Sequence, residues 1–225
     1  SKKLDLTLLL RIEDHDKQRF KQEYLDGLFA DLKFLGIQYK KPALFQSRSK
    51  KYYDDCLDFL IRKEFVYGCE CSRSEILNNQ NSNKNELHYS GKCRNKNLPL
   101  DGNTVRFRVE NKDIQFKDLI LGHQIQNPFL QCGDFSIRDK LGNYTYQFAC
   151  VCDDIRQKIT HVIRGKDILH STARQILLYR AFESPLPNFY HHRLLYDENG
   201  NKLCKRDKSE SISKMIINGY APEEI

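Results

Sequence analysis

Cys69, Cys71 and Cys93 are the residues whose types and spacing most clearly suggest chemistry. The Cys-x-Cys pair forms a short knuckle, and a third thiol returns to it after a long excursion. A structural zinc ion takes about four thiolate, imidazole or carboxylate ligands in a tetrahedron. The fourth donor is open on chemistry. His88 is the ordinary choice, whereas the neighbouring Tyr89 must lose a phenolic proton to bind. Three unrelated buried cysteines are the alternative reading.

Three further groups carry charge to the right places. Lys202-Leu203-Cys204-Lys205-Arg206 follows Asp197-Glu198-Asn199-Gly200. Two lysines three apart on a loop can reach triphosphate oxygens and stabilise charge on a departing pyrophosphate. A basic surface turn has the same composition. Arg11-Ile12-Glu13-Asp14 directly follows an apolar segment, so the charges sit at a strand's carboxyl end, where open α/β sheets bind ligands. Glu13 could accept hydrogen bonds from a substrate ammonium, or the acids could simply decorate a helix start. Arg164-Gly165 ends another apolar segment, and an arginine there can clamp a carboxylate with two parallel bonds. Tyr146 heads a mostly apolar stretch, which suits either a pocket hydroxyl or a core tyrosine.

The elements that must position these groups can be read from periodicity. Leu6 to Ile12 reads as a buried strand. Asp16 to Gly36 reads as a helix with Phe20, Tyr24, Leu28, Leu32 and Leu35 on one face. Pro42 is expected to begin a loop, and Ser49 to cap a helix reaching Glu64 with an apolar face of Tyr53, Leu57, Leu60 and Ile61. Residues 66–133 have a different texture, with the cysteines, an asparagine-rich run and alternating segments such as Thr104 to Val109. From 134 the α/β texture returns: a strand at Phe135 to Arg138, a turn at Gly142-Asn143, a short buried helix at Tyr146 to Cys152 and a strand at Thr160 to Arg164. An amphipathic helix follows from Asp167 to Phe182 with Ile168, Ala173, Ile176, Leu177 and Ala181, stopped by Pro185 and Pro187. Tyr67 and Arg94 suit RNA contact and the core equally well.

Composition narrows the class. The chain has 225 residues, 40% of them hydrophobic, and a formal net charge of +7. That charge favours a polyanionic partner, since neutralising phosphates releases counterions. No apolar run of about 18 residues is present, so no membrane span is expected. Eight cysteines without a visible secretory signal point to reduced thiols in the cytoplasm.

Taken together and in order, these residues resemble the glutamyl-tRNA synthetase family. Arg11-Ile12-Glu13-Asp14-His15-Asp16 is similar to its Arg-Ile-Glu-Asp-Thr-Asp segment, and Gln46-Ser47 through Tyr52-Tyr53 to the loop and helix that follow. Thr160 to Asp167 and Ser171 to Ile176 resemble its second half. Lys202 to Arg206 is similar to its Lys-Met-Ser-Lys-Ser loop, with Cys204 in place of serine. The Cys-x-Cys…Tyr-x-x-x-Cys pattern resembles that of both the short glutamyl-queuosine tRNA(Asp) synthetases and some full-length members, whereas the stretch Cys204 to Ser209 and the closing Gly219 to Ile225 look like the short enzymes.

The resemblance implies a Rossmann-like class I synthetase catalytic domain over 1–65 and 134–225. A β-rich, zinc-bearing acceptor-type insertion over 66–133 would interrupt it. It implies Glu13, Tyr146 and Arg164 around glutamate, Lys205 as the catalytic charge on the ATP loop of Lys202 to Arg206, and Cys69, Cys71, Tyr89 and Cys93 around zinc. Cys150 stands where some members place a substrate-facing asparagine. ATP with Mg2+, glutamate and queuosine-bearing tRNA(Asp) are the implied partners of a monomer. The family's opening Arg-Phe-Ala-Pro-Ser-Pro strand and His-Ile-Gly-His-like helix entry are not in this sequence, which is expected to begin roughly 30 residues late, the span of a first strand and helix.

Overall fold

Strand, helix and parallel strand recur twice in this chain, once in each of its two compact units. A computed structural model describes residues 6–14, 20–78, 86–196, 200 and 212–224. The units are 1–51 with 195–225, and 52–194. No helix among the described residues is long and apolar enough to cross a membrane.

In the first unit, β1 (Leu9–Ile12) and β2 (Lys40–Phe45) pair in parallel, joined by helix α1 (Gln22–Phe34). Pro42 lies within β2 and does not start a loop. A proline cannot donate to a ladder, and the register shifts between Leu9↔Lys40 and Arg11↔Leu44, which is where Pro42 falls. The expected face of α1 is also displaced. Leu25 is its buried residue, whereas Phe20, Tyr24 and Leu28 are exposed. The two strands among the described residues of this unit offer the helix only a narrow surface, so one line of side chains suffices to cover it. A short helix, α7 (Ile212–Ile217), and a 3-10 segment at Pro222–Glu224 end the described part of this unit.

The second unit takes up helix α2 (Lys50–Arg62) from Tyr52 onward. Tyr53, Leu57 and Leu60 of α2 enter the main core, while Ile61 stays exposed. Strands β3 (Val66–Cys69) and β4 (Thr104–Phe107) are antiparallel, with helix α3 (Arg73–Asn78) between them in sequence. The hairpin of β5 (Ile114–Asp118) and β6 (Gly122–Gln126) comes next, then helix α4 (Pro128–Cys132) and β7 (Ser136–Arg138), which pairs with β4. Helix α5 (Tyr146–Arg156) leads to β8 (His161–Gly165), a 3-10 segment, helix α6 (Thr172–Ala181) and β9 (Asn188–His192). The larger sheet runs β6-β5-β9-β8, with β8, β9 and β5 parallel. Strands from 66–133 therefore share both sheets with strands that follow residue 134.

Helix α6 is not the two-faced helix its apolar residues suggest. Thr172, Ala173, Arg174, Gln175, Ile176, Leu178, Tyr179 and Ala181 are all buried, because α5 and β5 pack against different sides of it. Its polar side chains must therefore find partners within the protein, and those partners form the candidate site.

Candidate active site

Arg164 sits near the carboxyl end of β8, next to the start of α6. Its Nε donates to His191 Nε2 (2.9 Å), its Nη1 to Gln175 Oε1 (2.5 Å) and its Nη2 to Thr172 Oγ1 (2.8 Å). A guanidinium has five N–H donors, so two remain for a ligand. Burial lowers the Arg164 pKa, while the surrounding Tyr146, Cys150, Asp154 and Tyr179 act to raise it. Tyr146, Cys150 and Asp154 are spaced by four on α5, which puts them on one helical face. Tyr146 is exposed, Cys150 is buried, and the half-buried Asp154 accepts a hydrogen bond from Tyr179 (3.2 Å). Tyr146 and Cys150 thus lie within electrostatic reach of the Arg164 guanidinium.

Behind the arginine lies a pair that sequence reasoning missed. His191 on β9 and Asp118 on β5 are both buried, with Nδ1 and Oδ2 2.6 Å apart. The backbone N–H groups of Ile120 and Leu121 also donate to Asp118. Burial lowers the His191 pKa despite its bond to Asp118. Burial would raise Asp118, but hydrogen bonds from His191, Leu121 and Ile120 hold its carboxyl below the usual range. The alternation of β5 was a usable signal: Ile114, Phe116 and Asp118 share the buried register, and an inward carboxylate needs a donor.

The second cluster is sulfur-rich. The thiols of Cys69, Cys71 and Cys93 lie within 4.8 Å of one another and all three residues are buried. Cys71 and Cys93 sulfurs are 3.5 Å apart, and the Tyr89 hydroxyl is 3.3 Å from Cys69 Sγ. Tetrahedral zinc with Zn–S bonds of about 2.3 Å holds its sulfurs about 3.8 Å apart, so this donor set fits the ion. His88 Nε2 instead pairs with the Phe129 carbonyl at 3.0 Å, leaving Tyr89 as the oxygen beside the thiols. Burial pushes the Cys71 thiol up to about 11 and raises the Tyr89 phenol. At Cys93, burial is outweighed by hydrogen bonds, that of the Tyr89 hydroxyl foremost, and the thiol is lowered.

Tyr89 is held from three sides. Its backbone N–H donates to the Cys132 carbonyl (2.8 Å), its carbonyl lies against Gly133, and the Arg106 guanidinium stands 3.8 Å over its ring. Tyr67 and Arg94 belong to the support of this region. Tyr67 is buried and donates to Asp134 (2.6 Å), which also accepts from Arg94 (2.9 Å). An RNA-stacking role for Tyr67 is therefore excluded by its burial.

Glu13 lies just after β1 in the first unit, exposed and 3.7 Å from Arg11. Asp14 accepts from the backbone N–H and hydroxyl of Ser47 at 2.8 and 2.6 Å, which ties the strand end to the loop before α2. Tyr146 and Arg164 belong to the second unit. His15, Asp16 and the whole Lys202 to Arg206 loop, Lys205 included, lie outside the described residues.

Residues 2–225 match the family described as tRNA synthetases class I (E and Q), catalytic domain. A glutamate–tRNA ligase of Buchnera aphidicola is 35% identical over 97% of this chain and 48% of its own length. One from Aquifex aeolicus is 36% identical, again over 48% of its length. A glutamyl-Q tRNA(Asp) synthetase of Colwellia psychrerythraea is 35% identical over 91% of this chain and 65% of its own. The crystal structure of an Elizabethkingia meningosepticum glutamate tRNA ligase, in complex with its amino acid, superposes with a TM-score of 0.74 at 26% identity. That match covers 89% of this chain and 45% of the ligase. The chain thus spans about half the length of the glutamate–tRNA ligases it matches. With parallel strands, a carboxyl-end arginine and a family match over nearly its whole length, this chain belongs to the class I tRNA synthetases for glutamate and glutamine, through their catalytic domain.

Proposed function

We propose that this chain carries a centre that activates glutamate with ATP and transfers it to tRNA. The observation that carries the reading is Arg164, anchored by three bonds with two guanidinium donors left over, and with Tyr146 near enough to act on its charge. Such a fork suits a carboxylate. Glu13 would take the ammonium group. One carboxylate oxygen of glutamate attacks the α-phosphorus of Mg2+-bound ATP, the bond to the β-phosphate oxygen breaks, and pyrophosphate leaves. A tRNA hydroxyl then attacks the carbonyl carbon of the mixed anhydride, loses its proton and expels AMP. Positioning and charge stabilisation supply the catalysis, with Lys205 and Lys202 on the leaving phosphates.

The acceptor we favour is a hydroxyl of queuosine in the anticodon of tRNA(Asp), supported by the Cys204 to Ser209 stretch and by likeness to the Colwellia enzyme. The second reading, transfer to the 3′ end, is supported by the Buchnera and Aquifex ligases. Glutamate-dependent ATP–pyrophosphate exchange without tRNA tests the reading. Exchange is expected. The resemblance implies that the queuosine enzymes need no tRNA for that step, whereas ordinary members generally do. Exchange that appears only with tRNA would favour the 3′ end, and none in either condition would reject activation.

The thiol cluster would hold a structural zinc through Cys69, Cys71, Cys93 and Tyr89. Arg106 over the Tyr89 ring favours an electron-rich phenol oxygen, as ligation requires. Metal analysis should give one zinc per chain. A folded, metal-free protein whose three thiols all alkylate freely would sink the site.

A further inference from the structure

We infer that His191, oriented by Asp118, positions Arg164 and so sets how tightly the site holds a carboxylate substrate. The inference rests on the reading of Arg164 as the glutamate clamp. It follows from which atoms can donate. Arginine has no acceptor, so the 2.9 Å contact from Arg164 Nε requires a bare Nε2 on His191. The imidazole proton then sits on Nδ1, where Asp118 Oδ2 receives it at 2.6 Å. Thr172 Oγ1 lies 3.1 Å from the same Nε2 and accepts from Arg164 Nη2 at 2.8 Å. Gln175 Oε1 fixes Nη1. Carboxylate, imidazole, hydroxyl and amide thus aim the guanidinium from behind, and every bond has a single donor direction.

The pair is wholly enclosed, with both side chains at 0% exposure. An ion pair replaced by apolar groups is often no less stable, so burial alone gives no reason for these residues at the back of a substrate arginine. Positioning does. If Nε2 gained a proton, two N–H groups would face each other and the arginine would swing away. The charged and titratable groups facing the His191–Arg164 pair are Asp118 on β5, His192 on β9, Tyr146, Cys150 and Asp154 on α5, and Tyr179 on α6. Asp118 favours the protonated imidazole, and Arg164 and His192 oppose it.

The test compares glutamate and ATP in the full chain by equilibrium binding and exchange kinetics. Arg164→Lys probes the clamp itself: glutamate binding unchanged would overturn the functional reading. Given a working clamp, His191→Phe should raise the glutamate KM at least about tenfold, as expected for losing a hydrogen bond to a charged group, with the ATP KM unchanged. His191→Asn, which keeps an acceptor, should recover part of it. Should His191→Phe not fold, Thr172→Val removes one acceptor at constant shape and should raise the glutamate KM selectively. Nitrogen NMR of the imidazole gives a readout independent of activity: a protonated Nδ1 and bare Nε2 are expected. A protonated Nε2 at neutral pH, or variants that shift glutamate and ATP equally, would overturn the positioning role.

Discussion

At the scale of single residues, backbone and charge make separate demands. Gly133 has φ 68° and ψ −149°, following α4, a combination that only glycine adopts without strain. A Cβ there would stand 2.1 Å from the Tyr89 carbonyl oxygen, and that backbone atom cannot swing aside. Gly133→Ala should therefore cost at least about 2 kcal/mol and displace Tyr89 from the thiols. Urea unfolding would read the first effect, and zinc content of the folded fraction the second. An unchanged urea midpoint would show that the contact is relieved elsewhere. The role proposed for Lys205 makes a demand of the opposite kind, on chemistry rather than on folding. Losing one charge-stabilising donor costs about tenfold to a thousandfold in rate, so Lys205→Ala should slow pyrophosphate exchange by that range with no change in melting temperature. An unchanged exchange rate would remove Lys205 from the catalytic role.

Between elements, the contact most exposed to solution conditions is the one joining β5, β9 and β8 through Asp118, His191 and Arg164. Folding favours neutral His191, since burial pulls its pKa below the ordinary 6.5. Its contribution is complete above that value and is lost as pH falls from there to its folded pKa. Asp118 is held below the ordinary 3.8, so its contribution is lost only as pH falls further. Both terms have the same sign, and acid should destabilise the second unit in two stages. Thermal melting from pH 8 to pH 4 should show the first decline below about 6.5, and His191→Asn should abolish that stage. A flat profile in the parent protein would contradict the arrangement. The elements themselves were largely legible. The strand ends at Ile12 and Arg164, three of the four α2 stripe residues and the helix from Tyr146 follow from period and punctuation, and the clustering of Cys69, Cys71 and Cys93 from their spacing; but β1 buries only Ile12 and leaves Leu8 exposed, and Tyr146 opens its helix exposed. What stayed hidden depends on pairing over long sequence distances. Asp118 and His191 are 73 residues apart, Pro42 enters a strand through a register irregularity, and α6 is buried by neighbours that its own sequence does not name.

At the scale of the whole molecule, net charge and buried charge should answer differently to salt. The chain carries +7, and its lysines and arginines are the means by which a tRNA would be held. Each phosphate neutralised on an RNA adds roughly −0.7 to −0.9 to the slope of log K against log salt. A tRNA footprint of four or more phosphates therefore predicts a slope steeper than about −3. On the proposed reading, glutamate is a small ligand that the half-buried Arg164 would clamp, where screening by mobile ions is weak. Its affinity should change by no more than about twofold over the same range. Measuring both between 50 and 300 mM potassium chloride separates surface attraction from site chemistry in one preparation. A shallow slope for tRNA would mean that the positive charge is only a solubilising surface. A steep slope for glutamate would mean that its binding is governed by exposed charge, and the site built around Arg164 would then not be the one that holds it.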